Sequence, residues 1–413
     1  MENEKNACVY GLTDHSPFSI PQTNPRLSDI AEQLREQEIA EAWNMKRILI
    51  WVCLIVMIVP AGSASEGLTV AAKGAVLIDG ASGRVLFGQN ENEQFPMAST
   101  TKVMTTLLAL ENSALDEQVT AGRNAAGVTG TSLYLSQGET LSMEHMLYGL
   151  MLRSGNDAAV AVAEHIAGSV PAFAAMMNAR AAELNADAHF VNPHGLDAEG
   201  HKTSALGLAR IMREAMKNPV FRAITGTKRK VIPWVGNEYS RVLENKNKLL
   251  TTYEGATGGK TGFTNGAGRC LVFSAERDDM ELIGAVLNCP TWFDTATVML
   301  DYGFENFRME KGFDAGETVR AIPVINGEAA AVNARAEDGL RAAVPVGGAV
   351  DVVITLPESL DAPVHAGDIL GTAAIKSGDD VIAQCDLVAA DDVELVSLRQ
   401  AFTRLLRNWF WWR

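Results

Sequence analysis

Phe95-Pro96-Met97-Ala98-Ser99-Thr100-Thr101-Lys102, running on through Val103 to Asn112, is the stretch that decides the fold. From Ser99 to Asn112 apolar residues fall on most sides of a helix, and a helix hydrophobic nearly all round belongs in the middle of a domain. Its first turn nevertheless carries a serine and a lysine three apart, which a helix sets on one face within reach of each other. A serine hydroxyl becomes a nucleophile when a base takes its proton, and a lysine serves as that base if burial and nearby positive charge lower its pKa. The helix N-terminus adds positive potential and stabilises a developing oxyanion. Taken alone, the pair reads more simply, with Ser99 as an N-cap and Lys102 as a solvated first-turn residue.

Two later motifs overturn the simple reading. Ser154-Gly155-Asn156 sits between two helical patterns, where Ser154 can relay a proton and Asn156 can hold a substrate amide or orient Lys102. Lys260-Thr261-Gly262 opens a strand after Gly258-Gly259. There Lys260 and Thr261 would present a cation and a hydroxyl to a carboxylate, and Gly262 would let a substrate backbone approach closely. Each triplet alone is a common turn or strand entry. In this order they make a nucleophile, a relay and a carboxylate-binding strand, the parts of an acyl-transfer site.

Outward from these motifs the periodicity changes twice. Ala75 to Asp79 and Arg84 to Gly88 are short apolar runs around Gly80-Ala81-Ser82-Gly83, a hairpin signature. Helical patterns cover Met143 to Met151, Ala158 to Ala167, Val170 to Leu184 and Ser204 to Met216. Strands return at Gly268 to Ala275 and Glu281 to Asn288, turning near Asp278-Asp279, and a helix follows from Asp294 to Tyr302. Strands on both sides of a helical insert predict one antiparallel sheet assembled from both ends of an α+β domain, residues 66 to 307. From 312 to 394, short Val, Ile and Ala runs broken by Gly, Pro and Asp predict a small all-β sandwich. That region holds no convergent Ser, His, Lys or Cys set.

A chain of 413 residues with 47% apolar and 21% charged residues is ordinary for a globular protein of two domains. The net charge of -15 argues against nucleic acid as a partner, because phosphate binding needs a basic face. Of five cysteines, Cys270, Cys289 and Cys385 fall in the folded region, and with no C-x-x-C pair among them a zinc site or disulfide framework is not expected. Cys270 and Cys289 could face each other across two strands, although two small buried thiols is the simpler expectation. Nothing in the sequence calls for a metal or a cofactor.

Met45-Lys46-Arg47, the apolar run from Ile48 to Val59 and the small residues up to Ser65 have the form of a secretory signal peptide over 45–64. The run is too short for a bilayer span, which takes about 20 apolar residues. Residues 1–44 hold three Lys or Arg against eight acids, so they are not a targeting segment. The expectation is that translation starts at Met45, with 1–44 an upstream extension and a cytoplasmic tail as the alternative. At the other end, over 396–413, Leu398, Phe402, Leu405, Trp409 and Trp412 recur at helical spacing beside Arg399, Arg404, Arg407 and Arg413. Aromatics on one face with arginines and no acid describe an amphipathic helix lying in a membrane interface; a helix docked on the β domain is the alternative.

From Ala72 to Glu394 the chain resembles the penicillin-recognising serine enzymes, and within them the low-molecular-weight D-alanyl-D-alanine carboxypeptidases. The resemblance rests on the three motifs, on the Pro96-Met97-Ala98-Ser99 approach, on Asn192-Pro193-His194-Gly195-Leu196-Asp197 and on the β-rich C-terminal region. It implies a β-lactamase/transpeptidase-like catalytic domain that cleaves peptidoglycan pentapeptides ending in D-Ala-D-Ala. Ser99 would be acylated, the last D-alanine released and the acyl-enzyme hydrolysed, with β-lactams as covalent inhibitors. It further implies an oxyanion hole at the backbone N–H groups of Ser99 and Phe263, Phe263 standing where some relatives carry histidine, and a structural turn at His194. An amphipathic anchor would hold the exported enzyme at the outer face of the cytoplasmic membrane. Two other functions compete. A class A-like β-lactamase normally carries Ser-Asp-Asn and a deacylating glutamate and lacks the β domain, and a non-hydrolytic penicillin-binding sensor needs a membrane span and an effector.

Overall fold

The computed structural model describes residues 68–397 and 399–403. The inferred upstream extension, the signal segment and most of the C-terminal amphipathic pattern (Leu398, Arg404, Leu405, Arg407, Trp409, Trp412 and Arg413) lie outside the described residues.

The two hairpins read from the sequence join in one five-stranded antiparallel sheet. Strand β1 (Gly74–Asp79) lies between β2 (Val85–Gln89) and β5 (Met280–Leu287), followed by β4 (Gly268–Arg277), with β3 (Ala256–Thr264) at the edge. Side-chain alternation along the strands sorts their residues into two cores. Val76, Ile78, Val272, Ile283 and Ala285 pack toward the helical insert, while Leu77, Leu271, Phe273, Leu282 and Val286 pack on the helix Trp292–Asn306. Residues Lys102–Asn112 form a helix, α1, in which Lys102 through Ala109 are all buried, the position its all-round apolar pattern predicts.

Two details differ from the expectation. Ser99 does not begin the α-helix but sits in a 3₁₀ turn, Ala98–Thr101, which tightens the chain before α1 starts at Lys102. The helix Met143–Tyr148 also stops before Met151, giving way to a π-helical turn, Gly149–Arg153, that ends with Ser154 in the left-handed region.

The β-rich region begins at Phe307, ahead of Gly312. Strands Phe307–Phe313 and Leu340–Pro345 pair as one small sheet against a six-stranded one, enclosing Leu340, Ala342, Val344, Ile375 and Leu387. Ala343 ties this sandwich to the catalytic domain. Its N–H donates to Asp79 Oδ2 (3.0 Å), and its carbonyl accepts from Arg84 Nη1 (3.3 Å). Cys270, Cys289 and Cys385 are free and buried. The Cys270 thiol faces the carbonyls of Pro96 and Ala267, and that of Cys289 faces Thr295.

Candidate active site

Three polypeptide segments meet around the Lys102 amine, which is fully enclosed. Lys102 Nζ donates to Ser99 Oγ (3.0 Å), Asn156 Oδ1 (2.8 Å) and the carbonyl of His194 (2.5 Å). An ammonium has three donors, so this set satisfies it in full. Burial disfavours its charged form, and Lys260 and Lys246 add positive charge nearby; together they hold Lys102 well below the usual lysine range, with Asp157 in weaker opposition. The result is an amine able to exchange a proton with the serine hydroxyl it touches.

Asn156 is fixed on every side. Its N–H donates to Thr131 O (2.8 Å) and its Nδ2 to Thr129 O (2.7 Å), leaving Oδ1 for Lys102. The loop supplying those carbonyls is itself held by the next residue. The buried Asp157 carboxylate accepts from the N–H groups of Leu133 and Leu135 and from Ser132 Oγ at 2.6–3.0 Å. Ser154, at φ 67°, turns its hydroxyl toward Lys260, whose Nζ donates to Ser154 Oγ (3.1 Å) and to the carbonyl of Thr261 (2.9 Å). Burial, with Lys246 adding to it, brings Lys260 down to about 7.

The structure thus brings Ser99, Lys102, Ser154, Asn156 and Lys260 together. Lys260 is buried, with its amine against Ser154. Gly262 lets the enzyme's own chain approach closely, since a Cβ there would fall 2.8 Å from Ser99 N and 3.0 Å from Thr100 N. Thr261 is buried and Phe263 exposed on the same edge strand. The first N–H groups of a helical turn have no partner within it, and that of Ser99 lies against this edge.

Sequence reasoning missed the contribution of His194. Its ring takes no part in the Lys102 cluster and accepts from the Leu196 N–H (3.1 Å), while its main-chain carbonyl binds Lys102. Asn192 Oδ1 closes the turn by accepting from Gly195 N–H (2.7 Å), and Thr105 Oγ1 donates to Pro193 O (2.7 Å). Burial, reinforced by the Lys102 charge, takes the His194 imidazole down to about 3. His201 lies behind the serine turn. Its Nδ1 accepts from Val191 N–H, so Nε2 carries the proton and donates to Thr101 Oγ1 (2.8 Å). Asp157 was the one missed group with a signal, an acid directly after Asn156.

Residues 61–291 match the family described as D-alanyl-D-alanine carboxypeptidase, and residues 307–395 match the C-terminal domain of penicillin-binding protein 5. The chain belongs to the D-alanyl-D-alanine carboxypeptidase family. It is 32% identical over 362 residues to D-alanyl-D-alanine carboxypeptidase DacF of Bacillus subtilis, covering 84% of this chain and 92% of that protein. Over 238 residues it is 37% identical to DacB2 of Mycobacterium tuberculosis, covering 55% of this chain and 81% of that protein. The structure of penicillin-binding protein 5 from Haemophilus influenzae aligns with a TM-score of 0.69 at 30% identity, covering 79% of this chain and 98% of that one. Family membership makes the protein a serine-type carboxypeptidase, a hydrolase.

Proposed function

We propose that the enzyme removes the terminal D-alanine of peptidoglycan stem peptides through an acyl-enzyme on Ser99. The observation that carries this reading is the enclosed Lys102 amine 3.0 Å from Ser99 Oγ. In its neutral form Lys102 takes the hydroxyl proton as Ser99 Oγ bonds to the carbonyl carbon of the penultimate D-alanine. The carbonyl electron pair moves onto oxygen, toward the backbone N–H groups of Ser99 and Phe263. When the tetrahedral centre collapses, the C–N bond breaks and the departing amine takes the proton that Lys102 accepted, relayed through Ser154, so that Lys102 is neutral again. Water then attacks the ester as neutral Lys102 takes its proton, and Lys102 returns that proton to Ser99 Oγ as the ester C–O bond breaks and the acid leaves. Lys260, Thr261 and the β3 edge bind the substrate end, with the charge of Lys260 acting from below the surface.

β-Lactams would acylate Ser99 by the same first step. No glutamate among the described residues bonds to Ser99, Lys102 or Ser154, which favours slow release of the penicilloyl group over β-lactamase turnover. The test is Ser99→Ala. D-alanine release from diacetyl-Lys-D-Ala-D-Ala and labelling by a fluorescent penicillin should both vanish, and retention of either would sink the assignment.

We also propose export through the 45–64 segment and attachment to the outer face of the cytoplasmic membrane by the C-terminal helix. In support, Ser397 and Gln400 form a reciprocal cap, with Gln400 N–H to Ser397 Oγ (3.4 Å) and Ser397 N–H to Gln400 Oε1 (2.9 Å). The helical turn after it leaves Phe402 exposed.

A further inference from the structure

The six-stranded sheet of the C-terminal domain ends differently on its two sides. One end strand, Leu360–Asp361, is two residues long and lies between Pro357 and Pro363, which keeps it from pairing with another chain. The other, Asp351–Thr355, runs for five residues and pairs in unbroken register with Ile369–Ser377. Its outer edge meets no further strand among the described residues. Edge strands of monomeric proteins are generally guarded by a lysine, a proline, a bulge or a covering segment. Val350 to Leu356, reading Val-Asp-Val-Val-Ile-Thr-Leu, contains no lysine and no proline. Its one charge, Asp351, stands opposite Lys376 on the neighbouring strand, so this edge is locally neutral in a chain whose net charge of -15 otherwise sets copies against each other.

Apolar side chains also lie uncovered at this rim. Residues directly opposite in an antiparallel pair share a face of the sheet. Val352 stands opposite Ile375 and Ile354 opposite Ala373, both of which are fully buried in the sandwich core. Val350 and Leu356 pack against the same core, yet Val352 and Ile354 between them are 40% and 42% exposed. The core face of the sheet therefore continues to an edge where it meets water.

A second copy of the same strand fits both features. The order polar, three apolar, polar from Asp351 to Thr355 is its own reverse. Laid antiparallel about a two-fold axis through Val353, one copy sets Val352 against Ile354 of the other and Asp351 against Thr355, so that apolar meets apolar and no carboxylate faces a carboxylate. We propose that two copies of this chain associate through the Asp351–Thr355 edge, joining their C-terminal sheets into one continuous sheet. Two strands of this length bury less than the roughly 1,200 Å² of a stable complex, so the dimer is a weak one.

The test is cysteine trapping in the full-length protein in detergent solution, where the native Cys270, Cys289 and Cys385 thiols are buried. Val353→Cys meets itself on the two-fold axis and should give a disulfide-linked dimer under a mild oxidant. Val352→Cys and Ile354→Cys should each cross-link at least about tenfold more slowly alone and readily when mixed, because directly opposed residues have the separation a disulfide needs and diagonal ones do not. Val353→Lys sets two ammonium groups face to face. It should convert a parent that dimerises at about 100 µM in sedimentation equilibrium to a monomer, with thermal unfolding unchanged. Equal cross-linking of all three single variants, a parent that is monomeric at that concentration, or a dimer that survives Val353→Lys would each overturn the contact. So would cross-linking that appears only once the residues after Val396 are removed, since the chain's own C-terminus would then be the occupant of the edge.

Discussion

Gly262 and Ser99 are in backbone contact across the cleft: a methyl group on Gly262 would sit 2.8 Å from the Ser99 nitrogen. The neighbours that would have to yield are main-chain atoms and Ala98 Cβ at 3.0 Å, none of which can rotate away. Gly262→Ala must therefore push β3 off the serine turn. Misplacing a reacting group by about 1 Å costs on the order of 10²-fold in rate, so D-alanine release should fall by at least that much. Activity within about threefold of the parent would show that the spacing is not critical.

His194 and Gly195 should separate cleanly, because the site uses the carbonyl of one and the missing side chain of the other. His194→Gln keeps the carbonyl that holds Lys102 and should retain activity within about tenfold. Gly195→Ala cannot be accommodated, since φ is +90° and the new Cβ would fall 1.9 Å from the Ala98 carbonyl oxygen. It should abolish penicillin labelling. The reverse ranking would mean that the imidazole itself does chemistry.

This contrast shows what could be read from the sequence and what could not. Ser99, Lys102, Ser154, Asn156 and Lys260 were legible because side-chain chemistry restricts which residue types can do the work at those spacings. The fold was legible where burial dictates residue type, as in the all-round apolar α1 and the near-continuous apolar runs of β4 and β5. A carbonyl is common to every residue, so nothing in the letters marks His194 O as the third partner of Lys102. Gly262 reads in the sequence as room for a substrate backbone, and its contact with the Ser99 turn depends on the approach of two distant segments. The 3₁₀ turn at Ser99 and the left-handed Ser154 follow from tertiary packing, which overrides the local helical pattern.

Asp157 should matter more for stability than for the chemical step. Its carboxylate collects two loop N–H groups and a hydroxyl, and removing it leaves them buried without a partner. Asp157→Ala should cost on the order of 3 kcal/mol in denaturant unfolding. Asp157→Asn, which keeps one acceptor oxygen, should cost clearly less. If the two variants melt alike, the loop is not held by these bonds.

Truncation after Val396 should convert a membrane-bound enzyme to a freely soluble one with its peptidase activity kept. The catalytic cluster lies wholly within residues 99–263, and the β domain closes its own core without the segment. Sedimentation with anionic vesicles measures the first effect and D-alanine release the second. Undiminished vesicle binding by the truncated form would rule out the anchor.

The pH profile should report Lys102, and its direction can be worked out from the charges around it. Only the neutral amine accepts the Ser99 proton, so kcat/KM should rise with pH through the lowered Lys102 pKa and form the acid limb. His194 at about 3 and His201 at about 4 are already neutral there and cannot supply it. Lys246 pushes the Lys102 pKa down. Lys246→Gln removes that push, so the Lys102 pKa rises, less amine is neutral at a given pH, and the acid limb moves toward higher pH. Lys102→Arg provides the control, because a guanidinium stays protonated throughout the range and should give no measurable acylation at any pH. An acid limb that stays in place or moves to lower pH in Lys246→Gln would assign the titration to another group and remove Lys102 as the base.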